Sequence, residues 1–149
     1  MKTLTVKQPW ASLIVSGIKD IENRTWKTNF RGRILIHAGM AKTSGMMAVY
    51  LNRAQYAKFR ESVGFSGLDF IEPIGAIIGS VEIVDCVVNH SSIWAEKTIS
   101  VPDEDINPKT VFEKPAYNWV LANPIIFKEP IPCKGKLSFW EFDETLIKE

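Results

Sequence analysis

The spacing of apolar and polar positions changes period several times along the chain, and each change marks an element. "LTVK" at residues 4–7 alternates and predicts a first strand. "QPWASLIVSG" predicts a helix: Pro9 suits the first helical position, where a missing N–H costs nothing, and Gly17 suits the left-handed residue that ends it. Trp10, Leu13, Ile14 and Gly17 follow i, i+3, i+4, i+7 and make one core-facing stripe. "RGRILIHAG" is a short apolar strand launched by a basic turn. "GMMAVYLNRAQYAKFRESVG" predicts a second helix, with Met46, Val49, Tyr50, Ala54 and Ala57 at helical spacing and Gly64 closing it. "IGAIIGSVEIVDCVV" is the strongest strand pattern, and its glycines predict a bulge or a barrel bend. "VPDEDINPK" has the composition of a loop. "NWVLANPIIF" and "KLSFWEF" return to strand character on either side of the Pro-punctuated "KEPIPCKG". With no repeat, low-complexity tract or linker, the pattern predicts one α+β domain over residues 1–149, a small twisted sheet or barrel with two helices.

Composition narrows the classes. A chain of 149 residues buries its own core without staples. Its apolar fraction of 46% with 11% aromatics excludes a disordered tail. No apolar run approaches the roughly 20 residues that span a bilayer, and "MKTLTVKQPW" lacks the apolar stretch of a secretory signal. Cys86 and Cys133 stand far apart, which suits reduced thiols and a cytosolic compartment. Net charge is only +1, but residues 1–42 carry +6 and the remainder −5. That asymmetry points to an anionic partner for the basic segment, unless the fold mixes both segments on one surface.

Several chemistries lack support. "GMAKTSG" has a Lys-Thr pair after a strand, but Ala41 and Ile36 occupy the positions where a phosphate loop needs glycine. His37 and His90 have no ligand partner at metal spacing, so neither a metal nor another cofactor is expected. "GFSG" lacks the fifth residue of a nucleophile elbow. Asp103, Glu104 and Asp105 read as a solvated acidic loop.

The stretch "GIKDIENRTW" is different. Gly17, Lys19, Glu22 and Arg24 fit G-x-K-x-x-E-x-R, which resembles the signature of the ASCH family, small domains with a PUA-like β-barrel. The flanking "KQPWASLIVSG", "RGRILIHA" and "YNWVLANPIIF…PIPCKGKLSFW" are similar to a bacterial or phage-borne branch of that family, so the resemblance covers nearly the whole chain. It implies a barrel with two flanking helices and a cleft between barrel and helix, lined by the signature residues, and RNA or a modified nucleoside as ligand. One small branch is similar at the lysine and hydrolyses the acetyl amide of acetylated cytidine with lysine, threonine and a distant glutamate. Here Lys19 matches the lysine, Glu22 stands at the threonine position, and Glu82 is the candidate for the glutamate.

Residue chemistry adds its own expectation. A helical turn through residue 22 would put Lys19 and Glu22 on one face, and an extended chain beyond it would put Glu22 and Arg24 on one face. Arg24 disfavours the Lys19 cation and Glu22 favours it. A lysine so balanced serves as a donor to a base or phosphate, or as a general acid/base. The trio reads either as a site or as a structural ion network. Trp10 and Trp26 offer stacking faces for single-stranded RNA, or belong to the core. Lys27, Arg31 and Arg33 in the basic turn are candidate phosphate contacts. The first function is therefore an RNA or modified-nucleoside binding module using Trp10, Lys19, Glu22, Arg24, Trp26, Lys27, Arg31 and Arg33. The second is a hydrolase of the same cleft, a nucleoside amidohydrolase or metal-independent ribonuclease, with Lys19, Glu22 and Arg24 as its working groups. The third is a non-catalytic protein adaptor.

Overall fold

In a computed structural model, residues 1–43, 46–64, 70–103 and 107–147 are described. Eight strands and two helices follow in the order β1 (Lys2–Val6), α1 (Trp10–Val15), β2 (Ile21–Arg24), β3 (Gly32–Ala38), α2 (Arg53–Val63), β4 (Ala76–Val88), β5 (Ile99–Asp103), β6 (Asn107–Lys114), β7 (Tyr117–Pro132) and β8 (Phe139–Glu141). Six strands form one sheet in the order β2-β7-β4-β3-β1-β8, and β5 and β6 pair as a separate hairpin. The β1–β3 pair is parallel, and the other pairs are antiparallel.

The sheet curls because its two longest strands are repeatedly bulged. β4 and β7 shift register between Ile77 and Gly79, between Ser80 and Glu82, and between Ile83 and Asp85, and each bulge adds local twist and bend. Gly79 is required there: a Cβ on it would lie 2.1 Å from the Ile125 carbonyl oxygen and 2.9 Å from Val15 Cγ1. Curling brings the two ends of the sheet together. Arg24 on the outermost strand reaches the Thr5 carbonyl on β1, at 3.0 Å. Trp26, just past β2, packs edge-on against Phe139 of β8, with ring centroids 5.7 Å apart. The result is a half-barrel flanked by two helices, the α+β class that the sequence predicts.

Helix α1 is buried on every side rather than along a single stripe. Ala11, Ile14 and Val15 pack on the sheet core with Leu4, Val6, Ile34, Ile36, Val81 and Trp119. Leu13 enters a second cluster with Ile18, Ile21, Leu51, Phe59 and Trp94. Each fully buried Leu, Ile or Val contributes about 1.5–3 kcal/mol, which lets a six-residue helix persist where an isolated one would melt. Pro9 lies one residue before the helix as its cap. Gln8 supplies the capping groups, accepting from the Ser12 amide at 3.0 Å and donating to Ser12 Oγ at 2.7 Å and to the Pro73 carbonyl at 2.8 Å. Gly17 ends the turn at φ +81°, as expected.

Four expectations need correction. The second helix begins at Arg53, not at residue 45, because Asn52 and Gln55 form a reciprocal capping box, and Met47–Val49 is a separate 3₁₀ turn. Its apolar stripe is misplaced as well. Met46, Val49, Ala54 and Ala57 are exposed, and Phe59 is the buried residue of α2. "VPDEDINPK" is strand at both ends, in β5 and β6; Glu104 and Asp105 of the acidic cluster lie outside the described residues, as do Phe65–Gly67 of "GFSG" and Ser44–Gly45 of "GMAKTSG". "KEPIPCKG" does not interrupt the final strands at its start, since β7 runs through to Pro132. No helix among the described residues is long and apolar enough to cross a membrane.

Candidate functional site

The chain leaves α1 through Gly17 and turns back on itself. The Lys19 amide donates to the Leu13 carbonyl at 2.9 Å, and the Asp20 carbonyl accepts from Leu121 N–H at 2.9 Å. The chain then enters β2, where Glu22 stands opposite Trp119 and Asn23 opposite Asn118. Lys19 and Glu22 therefore meet across a folded-back turn, not on a helical face. Glu22 and Arg24 do share a strand face, as alternation requires.

All three charged groups converge. Lys19 Nζ lies 3.8 Å from Glu22 Oε1, and Arg24 Nη2 lies 3.1 Å from Glu22 Oε2. Lys19 and Glu22 are buried, at 5% and 7% exposure, whereas the Arg24 side chain keeps 24%. Lys19 Nζ also donates to the Ile21 carbonyl and sits 5.7 Å from the Trp10 ring centroid. Burial pushes the Lys19 pKa below its ordinary value; Glu22, Glu96 and Asp20 oppose that shift, and Arg24 adds to it. The arrangement thus holds a desolvated ammonium, a buried carboxylate with a protein donor on each oxygen, and a partly exposed arginine side chain.

The tryptophans divide. Trp10 forms a wall of the site over Lys19 and packs edge-on against Tyr50. Trp26 joins the core aromatics instead: its ring is 4.6 Å from that of Trp119, and its carbonyl accepts from Trp119 Nε1. In the basic turn Lys27 is exposed. Arg31 is engaged with Asp85 at 3.6 Å and Arg33 with Glu82 at 3.3 Å. Acids of β4 thus neutralise part of the basic segment, and Glu82 is occupied by Arg33 and not by Lys19. His37 is buried between Thr5 and the Cys133 carbonyl, and His90 orders the Ser92 turn.

Two features escape sequence reasoning. One is the loop from Asn89 to Lys97, which brings the Glu96 charge to bear on Lys19. The other is the amide network that holds this loop. Asn23 donates to the Trp94 carbonyl at 2.9 Å and accepts from the Glu96 amide at 3.0 Å. Asn118 donates to Asn23 and to the Glu96 carbonyl, both at 2.9 Å. The β2–β7 register that creates this network has no signal in local periodicity.

The chain belongs to the ASCH domain family, whose pattern matches residues 4–131. It is similar to activating signal cointegrator 1 of Homo sapiens, 33% identical over 144 residues, and to the protein of the same name in Mus musculus, 31% identical over 144 residues. Each match covers 96% of this chain and 22% of the relative, so the chain spans about a fifth of the length of these proteins.

Proposed function

We propose that the domain is an RNA-binding module whose ligand, a single-stranded RNA or a modified nucleoside, enters beside Arg24 and Trp10. The observation that carries this reading is the partly exposed cation: Arg24 is fixed by Glu22 and the Thr5 carbonyl, yet its side chain keeps 24% exposure while its two partners in the trio are buried. A guanidinium held in this way offers phosphate or a base edge a preorganised donor. Lys27 adds an exposed charge nearby in sequence, and Trp10 adds an aromatic edge. Placement in the PUA-like superfamily, the bacterial or phage-borne branch and a cytoplasmic setting belong to the same proposal.

A second reading, hydrolysis of the same ligand class, is favoured by the lowered pKa of Lys19, since a desolvated lysine is a competent general base. Binding is preferred because Lys19 Nζ and both Glu22 oxygens are already engaged within the protein. Fluorescence anisotropy with labelled single-stranded RNA, run beside turnover assays on acylated cytidine and on RNA, tests the choice. Saturable binding without product supports the module, and product that disappears in Glu22→Gln with affinity retained supports the hydrolase.

A further inference from the structure

β2 is an edge strand of the sheet, with β7 on one side and, among the described residues, no strand on the other. The Asp20 carbonyl bonds to Leu121 N–H, and Glu22 and Arg24 follow it at two-residue steps along the same ladder. The backbone groups of residues 20, 22 and 24 therefore turn toward β7, and those of Ile21 and Asn23 turn toward the open edge. Both open-edge positions carry a bond to a signature side chain. Lys19 Nζ donates to the Ile21 carbonyl, and Glu22 Oε1 accepts from the Asn23 amide at 3.2 Å. Unpaired groups on such an edge are a template for another strand, and they are costly when shielded from water.

The same two side chains are buried, which leaves a ligand little access to them. Glu22 Oε2 takes Arg24 Nη2, and the Lys19 ammonium is enclosed by the Ile21 carbonyl, Glu22 and the Trp10 ring. Arg24 differs. Its hydrogen bonds among the described residues both run from Nη2, to Thr5 and to Glu22, which leaves Nη1 and Nε as donors.

We propose that Lys19 and Glu22 are positioning residues that close the free edge of β2 and hold the Arg24 guanidinium, and that Arg24 is the member of the trio that touches the ligand, through an oxyanion of the phosphodiester type. The proposal rests on the RNA-binding reading for its ligand, but not for the edge closure. The buried pair sets where the guanidinium sits, and a phosphate oxygen is the partner for an N–H donor left on Nη1 or Nε.

Two measurements test it. In the free protein, amide hydrogen exchange is compared between wild type and Glu22→Ala. Exchange at Asn23 rises about tenfold when its acceptor is removed, while Arg24, whose amide faces β7, keeps its rate. No change at Asn23, or an equal rise at Arg24 from detachment of the whole strand, would overturn the edge closure. With single-stranded RNA, Arg24→Gln lowers the log–log salt slope by about 0.7, the loss of one phosphate contact. Lys19→Met weakens affinity through Arg24 but leaves the slope at its wild-type value. An equal fall in slope for Lys19→Met would show that Lys19 touches phosphate and would overturn the division of roles. Failure of the wild type to bind RNA would remove the ligand assignment together with the RNA reading, whereas the exchange result judges the edge closure by itself.

Discussion

Asn118 Nδ2 donates to Asn23 Oδ1 at 2.9 Å, across a strand pair whose register places the two residues directly opposite each other. This contact links the sheet to the loop that borders the site. Asn118 is fully buried, and its amide group also serves the His90 amide and the Glu96 carbonyl. Asn118→Ala should remove one bond from each of three polar partners, of which Asn23 Oδ1 keeps the Glu96 amide, and cost about 2–4 kcal/mol in denaturant unfolding. A loss under about 0.5 kcal/mol would show that water replaces the amide freely.

Lys19 gives the site a pH signature in the stability of the free protein. Its folded-state pKa lies below the ordinary 10.5 because burial disfavours the cation. Below that lowered value the lysine is protonated in both states, and burying the cation costs stability. Between it and 10.5 the unfolded chain binds more protons than the folded one, so stability rises with pH. Chemical unfolding of wild type and Lys19→Met, followed from neutral pH upward, should show the wild type gaining relative to the variant through this window. A relative loss would reverse the sign of the electrostatic account.

Gly79 tests how the sheet is curled. An added methyl meets the Ile125 carbonyl oxygen at 2.1 Å, and backbone cannot yield as a side-chain end can. Gly79→Ala should therefore destabilise the domain by about 3 kcal/mol or more, seen as a lowered Tm. A variant as stable as wild type would mean that the β4–β7 bulge relaxes without strain.

The central architecture was legible because its signals are local. The β4 run, the short strand through "RILIHA", the helix after Pro9 and the turn at Gly17 each follow from a period or a backbone preference within a few residues. The extent of α2 was not legible: alanines and methionines at helical spacing imitate a buried stripe, while the Asn52–Gln55 capping box sets the true start. For the site, the signature located Lys19, Glu22 and Arg24, and period-two alternation placed Glu22 beside Arg24. Pairing of Arg31 with Asp85 and Arg33 with Glu82 depends on the β3–β4 register, which residue counts within the basic segment do not reveal. The same holds for Asn23 and Asn118, 95 residues apart.

The ion pairs of Arg31 and Arg33 set Lys27 apart in the proposed contact with RNA. Lys27 is exposed, whereas Arg33 is held by Ser80 Oγ at 2.9 Å and by Glu82. Lys27→Ala should weaken all single-stranded RNA sequences alike and lower the salt slope by about 0.7. Arg33→Ala should change the slope by less, since its charge is already neutralised across the strands. Salt titrations of both variants decide this; a larger fall for Arg33 would mean that its ion pair opens on binding.

Arg24 is the ligand-facing group of the proposed binding site. The most direct measurement is the Kd of a labelled single-stranded RNA for wild type and Arg24→Gln at constant salt, with amide exchange confirming an intact β2. Loss of one charge-assisted contact predicts a Kd about tenfold or more higher for Arg24→Gln, with the fold unchanged. Equal affinity of the two proteins, with wild-type binding present, would contradict the assignment of this site.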